Sequence, residues 1–137
     1  MKHNLELTIS SLLSILFLTF HFADDIARGF ESGGKKNYFG ILILFVLLYA
    51  TLVLKARLSG YIIIFLGSLL GAGVPLIHMT GAGLIGGRIA NSNGKFFWIF
   101  TLLALGVTSL FSLVLAARGL WSMRRNPAVG VNECLQT

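Results

Sequence analysis

The segment from His21 to Gly29 carries the residues whose types and spacing are best suited to chemistry. On a helix, His21, Asp24 and Asp25 are three and four residues apart, so their side chains share one face. An imidazole and two carboxylates on one face can converge on a single cation, and helical bundles bind metals through a similar acid–histidine pairing. The spacing therefore predicts a cation site in this segment.

A second imidazole is available from His78, near the end of a later apolar run. Two imidazoles and two carboxylates are a ligand set that suits zinc, manganese or iron. We therefore take His21, Asp24, Asp25 and His78 as candidate ligands of a transition metal, with haem as an alternative cofactor. A purely structural interpretation stays open, because Asp24 and Arg28 are also four residues apart and can form an interfacial ion pair.

Four apolar runs must position these residues, and they cover about 5–23, 38–54, 61–79 and 96–116. A helix needs about 20 mostly apolar residues to cross a bilayer. Only 12% of the residues are charged and the mean hydropathy is +0.84, whereas soluble domains carry about 25% charged residues. We expect an all-α integral membrane bundle of four transmembrane helices, one domain over 1–137, with a flexible polar tail at 122–137.

Four spans would place the two imidazoles at matching depth. The first and third runs then cross the membrane in the same direction. At 1.5 Å per residue, His21 lies about 24 Å beyond Leu5, and His78 lies about 26 Å beyond Tyr61. Both histidines are therefore expected near the membrane surface opposite the termini, whichever way the protein faces.

The basic residues lie at the ends of the apolar runs. The net charge is +6 and the sequence pI is about 10.0, but this placement indicates anchoring to lipid headgroups and not binding of nucleic acid. The side of the termini carries Lys2, Lys55, Arg57, Arg118, Arg124 and Arg125. The other side carries Arg28, Lys35, Lys36, Arg88 and Lys95. The positive-inside rule therefore favours cytoplasmic termini in a cell (inner) membrane.

Small residues predict how the helices pack. In the fourth run, Ala104, Thr108, Ser112 and Ala116 recur every four residues and form one face that another helix can approach closely. The second run is mostly bulky, so we expect it to face lipid and the other three runs to form the centre. Such small-residue faces could also pack in a homo- or hetero-oligomer.

Aromatic residues cluster near the ends of the runs. Trp and Tyr are enriched at membrane–water interfaces. We therefore interpret this set as an interfacial belt: Tyr38, Tyr61, Phe96, Phe97, Trp98 and Trp121.

These features leave several functions open. With no long hydrophilic stretch, the chain is expected to be a non-enzymatic accessory, assembly or interaction subunit. The alternative is a membrane metal- or haem-binding protein that uses the His/Asp residues. A small transporter is a further alternative, weakened because no acidic residue lies at mid-depth. No hydrolase or metalloprotease motif indicates an enzyme, and the G-x-G-x-x-G at 81–86 lacks the βαβ unit that dinucleotide binding needs.

Overall fold

The computed structural model describes residues 2–29, 35–55, 57–82 and 93–125, which form four helices and no strand. The helices are α1 (Lys2–Ala27), α2 (Lys35–Leu52), α3 (Leu58–Ala82) and α4 (Lys95–Arg125). The predicted all-helical class is confirmed. Helices α1, α3 and α4 extend past the apolar runs at both ends, because the helical backbone continues through polar residues that the apolar pattern does not include.

Three helices within the described residues are long and apolar enough to cross a membrane. The candidate spans are Leu5–Ala27 in α1, Leu58–His78 in α3 and Lys95–Arg125 in α4, with 23, 21 and 31 residues. The apolar part of α2, Tyr38–Leu52, is shorter than these spans. The protein therefore combines three candidate membrane-spanning helices with a fourth, shorter apolar helix.

Two predicted segments lie partly outside the described residues. Helix α4 continues to Arg125, so the first four residues of the predicted polar tail are helical. The rest of that tail, residues 126–137, and most of the glycine-rich segment, residues 83–86, lie outside the part of the chain that the structure describes.

Helices α1 and α3 run parallel to each other. Near their starts, Leu7 of α1 and Tyr61 of α3 belong to one buried apolar cluster. Near their ends, the imidazoles of His21 and His78 lie beside each other. The two helices therefore carry their histidines to the same end of the bundle.

Helix α2 runs antiparallel to α1. It begins beside the end of α1, where Gly40 lies so close to the Phe22 ring that an added Cβ would overlap it. It ends beside the start of α1, where the hydroxyls of Ser11 and Thr51 are 2.7 Å apart. The α2 helix therefore returns the chain to the end of the bundle at which α1 begins.

Helix α4 lies against both α1 and α3 and supplies much of the centre of the bundle. Its buried residues are Trp98, Thr101, Leu102, Leu105, Ser109, Ser112, Ala116 and Gly119. Of the predicted small-residue face, Ser112 and Ala116 are buried, whereas Ala104 and Thr108 are half-buried. The buried face of α4 is therefore rotated from the predicted stripe toward Leu105.

The described side chains of α2 are mostly exposed, as predicted for the helix that faces lipid most. Its buried residues among those described are Leu47, Ala50 and Thr51. Leu47 packs against Gly67 of α3, where an added Cβ would overlap the leucine methyl. Helix α2, although its side chains are mostly bulky, thus packs closely against α3 at a glycine. Between helices in lipid, association depends on such close packing because the hydrophobic effect does not drive it.

Serine hydroxyls link α1 to α4 in the half of the bundle nearer the start of α1. The Ser112 hydroxyl is 2.9 Å from that of Ser10 and 3.4 Å from that of Ser14. Interhelical hydrogen bonds of this kind contribute about 0.6 kcal/mol each on average. They fix the position of α4 along the axis of α1. They thereby also fix the relative positions of the polar residues at the other end of the two helices.

Candidate metal centre

Helix α1 places His21 and Asp25 one turn apart near its end. His21 Nε2 is 3.5 Å from Asp25 Oδ2, and the two residues are only 3% and 9% exposed. The helix ends at Ala27, and Gly29 follows with a φ of 69°, the left-handed conformation that often closes a helix. The last turns of α1 therefore hold an imidazole and a carboxylate inside the bundle.

Helix α3 brings the second imidazole to the same point. His78 is half-buried, and its Nε2 lies 3.5 Å from Nε2 of His21. One ligand atom from each of His21, Asp25 and His78 lies within 4.8 Å of the other two. Two nitrogens and a carboxylate oxygen from two helices thus surround one small volume, which we call the His/Asp cluster.

Thr101 of α4 indicates which nitrogen of His21 carries the proton. Its hydroxyl lies 3.0 Å from the Trp98 carbonyl, to which it donates, and 3.4 Å from His21 Nδ1. With its hydrogen directed at the carbonyl, the hydroxyl oxygen is placed to accept a hydrogen bond from Nδ1–H of His21. His21 then directs the lone pair of Nε2 toward His78 and Asp25, which is the form of imidazole that binds a metal.

Trp98 of α4 completes the surroundings of the cluster and was not predicted to do so. Its indole Nε1 donates to Asp25 Oδ1 at 2.7 Å, and its ring lies 5.2 Å from the His21 ring and 5.1 Å from the His78 ring. Trp98 and Tyr61, which the sequence assigned to an interfacial belt, face the interior of the bundle and not its surroundings, since they are 1% and 6% exposed. The sequence did contain a signal for this role of Trp98. Trp98 lies at the start of the fourth run and Asp25 just after the end of the first, so an indole donor and a carboxylate acceptor are expected at the same end of the bundle.

Asp24 lies outside the cluster. Its Oδ2 accepts a hydrogen bond of 2.7 Å from Arg28 Nε, so the structure contains the ion pair that was the alternative interpretation of this spacing. Arg28 also donates to the carbonyl of Asn93 at 3.0 Å. The Asp24–Arg28 pair thus joins the end of α1 to the turn before α4. Asp24, which the sequence predicted as a fourth metal ligand, is engaged in this ion pair instead.

The spacing of the two imidazole nitrogens in the His/Asp cluster suits a small cation. With zinc–nitrogen bonds of about 2.0–2.1 Å and tetrahedral angles, two ligand nitrogens lie about 3.3 Å apart, close to the observed 3.5 Å. Asp25 can bind through Oδ2 while Oδ1 stays on Trp98, and His21 through Nε2 while Nδ1 stays on Thr101. Outer hydrogen bonds of this kind orient ligands in metal sites.

The same atoms can also be held together without a metal. A proton on His78 Nε2 would join the two imidazoles by a long hydrogen bond of 3.5 Å, at the limit for such a bond. Asp25 is already satisfied on one oxygen by Trp98. The His/Asp cluster therefore has two chemical descriptions, a cation site and a hydrogen-bonded packing element, which differ in whether added metal binds.

Comparison of the chain with protein-family models, with curated proteins and with solved structures finds no match. The chemistry of the His/Asp cluster is therefore inferred from its own residues and not from a relative. These are two imidazoles and one carboxylate, oriented by an indole and a hydroxyl, at one end of a bundle of apolar helices.

Proposed function

We propose that this protein is an integral membrane protein that binds a divalent transition-metal ion at His21, Asp25 and His78. The observation that carries the proposal is the convergence of three ligand atoms within 4.8 Å of one another, two of them buried. Three protein ligands that leave a coordination position open are typical of zinc sites that exchange water or substrate. Two histidines and one carboxylate also bind iron(II) in many proteins.

A single ion fits this arrangement better than haem does. Two histidines that ligate one haem iron stand on opposite faces of a porphyrin. Here the imidazole rings meet edge to face, with centroids 5.3 Å apart and planes at 82°, and Trp98 packs against both. This packing favours an ion beside the two nitrogens over a macrocycle between them.

Helix α2 is proposed as a fourth span, with the histidines near the surface opposite the termini. Parallel helices α1 and α3 must cross the bilayer in the same direction, so the chain between them has to return. Helix α2 follows α1 antiparallel from Phe22 back to Ser11, which supports its crossing despite the short apolar part. The count of basic residues supports cytoplasmic termini in a cell (inner) membrane.

Cobalt(II) binding tests the proposed site, because protein-bound cobalt absorbs visible light according to its ligands. Detergent-purified protein, first treated with a chelator, is expected to develop saturable visible bands at one ion per chain. Asp25→Asn should weaken this binding strongly, since a neutral amide replaces the anionic ligand. Asp24→Asn is the matched control and should bind cobalt as the wild type does, because Asp24 pairs with Arg28.

Equal binding by the Asp25→Asn and wild-type proteins would contradict the proposed ligand set. No saturable binding by the wild type would contradict the metal site altogether. The His/Asp cluster would then be a hydrogen-bonded element of packing, and the function to pursue would be a non-enzymatic accessory, assembly or interaction subunit.

A further inference from the structure

A second polar position lies near the middle of the bundle, away from the His/Asp cluster. Four serines line a small cavity between the helices, together with apolar side chains and two glycines of α3. The serines are Ser11, Ser14, Ser68 and Ser109. Ser14 is seven residues before His21, so the cavity lies about 10 Å along α1 from the imidazoles.

The Ser109 hydroxyl is the unusual feature of this cavity. Ser109 is 1% exposed, and its Oγ has no hydrogen-bond partner within the described part of the chain. Two other serines of the cavity do have partners, since Ser14 donates to the Ser10 carbonyl and Ser11 pairs with Thr51. An unpaired hydroxyl inside a protein loses its hydration without compensation, so a partner from outside the chain would stabilise Ser109.

The size of the cavity restricts that partner to a molecule no larger than water. The volume open to the centre of a water molecule is about 10 Å³, which is close to the least that holds one water. Buried waters occupy cavities that offer two to four polar partners. We infer that this cavity is a binding site for an ordered water molecule, held by Ser109 and by the other serine hydroxyls that line it.

The bound water would add hydrogen bonds between helices that already pack closely at this depth, as α3 and α4 do where Gly71 lies against Ser109. Ser109 belongs to α4, Ser68 to α3, and Ser11 and Ser14 to α1. Ser14 in turn lies 3.4 Å from the Ser112 hydroxyl, which is 2.9 Å from that of Ser10. One water thus extends the hydroxyl network of α1 and α4 to α3 and makes the centre of the bundle polar. This inference is independent of the proposed metal site.

Transfer of magnetisation from water to serine Cβ in solid-state NMR tests the inference on wild-type protein in lipid vesicles. We expect Ser109 Cβ to receive water magnetisation nearly as fast as exposed Ser122, despite its burial. Transfer as slow as at the Cβ of Ala116, which is fully buried, would overturn the inference.

Two glycines of α3 provide a matched pair for the same measurement. An alanine at Gly71 would place its Cβ against the Ser109 hydroxyl, whereas one at Gly73 would meet no atom within 4 Å. Gly71→Ala is expected to abolish the rapid transfer at Ser109, and Gly73→Ala to preserve it. Equal transfer rates in the two variants would overturn the assignment of the water to this cavity.

Thermal unfolding in detergent gives a second readout that needs only Ser109→Ala. If the cavity holds water, the substitution removes a satisfied hydrogen bond, and the unfolding midpoint shifts downward. If the cavity is dry, the substitution removes an unsatisfied hydroxyl, and the midpoint shifts upward. An upward shift would overturn the inference.

Discussion

His78→Ala is expected to abolish metal binding while the helical bundle stays folded. The substitution leaves one imidazole and one carboxylate, both from α1, so the ligand set no longer bridges two helices. Loss of an outer hydrogen bond to a ligand costs about 10–100-fold in metal affinity, and removing a ligand itself should exceed that range. Zinc titration by calorimetry, with the helical content followed by circular dichroism, measures both effects.

His78 is the better of the two histidines for this experiment because it is half-buried, whereas His21 is 3% exposed and contacts Thr101 and Trp98. His3→Ala is the control, since the chain has three histidines and this one is distant in sequence from the cluster. A His78→Ala protein that binds zinc with wild-type affinity would show that the ion sits elsewhere.

Gly119→Ala is expected to destabilise the packing of α4 against α3. The added Cβ would overlap the ring of Tyr61, which is 6% exposed and packed in the apolar cluster near the start of α1. Overpacking of a well-packed interior costs about 1–3 kcal/mol. The free energy of unfolding, measured by denaturation of the detergent-solubilised protein, should fall by this amount.

Gly73→Ala is the matched control for helix propensity and added volume. Gly73 also lies inside a helix, but its added Cβ would meet no atom within 4 Å. Alanine is favoured over glycine in helices by up to about 1 kcal/mol, so this variant should be as stable as the wild type or more so. Equal stability of the Gly119→Ala and wild-type proteins would contradict the close contact between α4 and Tyr61.

The helices, and the placing of the two histidines at one end of the bundle, were predictable from the sequence, whereas the meeting of their side chains was not. Long apolar runs have few solutions in lipid other than helices. The direction of each run predicted that His21 and His78 lie at the same end of the bundle, and the structure brings their Nε2 atoms to 3.5 Å. This prediction needed only the number of runs and the rise per residue of a helix.

The choice between the two aspartates was harder to predict. Adjacent residues on a helix point about 100° apart, so the rotation of α1 decides which carboxylate faces the interior. Both have a partner four residues away, Asp24 in Arg28 and Asp25 in His21. An ion pair between Asp24 and Arg28 would have left Asp25 as the carboxylate of the cluster. The sequence alone, however, equally allows His21, Asp24 and Asp25 to bind one cation together.

Trp98 was missed because α4 is apolar around most of its circumference. A helix with a polar face shows which side turns to the bundle centre, but a helix in lipid that is apolar all round does not. Of the predicted stripe of Ala104, Thr108, Ser112 and Ala116, only the last two are buried. The rest of the buried face includes Trp98, Leu105 and Ser109. The position of a residue along α4 was predictable, but its direction around the helix required the neighbouring helices.

The metal content of the purified protein tests the proposed function most directly. Wild-type protein, solubilised in mild detergent without added metal or chelator, would be measured by plasma mass spectrometry beside a His21→Ala/His78→Ala variant. We predict near-stoichiometric zinc, iron or another transition metal in the wild type and its loss in the variant. Absence of metal from both proteins, or equal metal in both, would contradict a metal site at His21, Asp25 and His78.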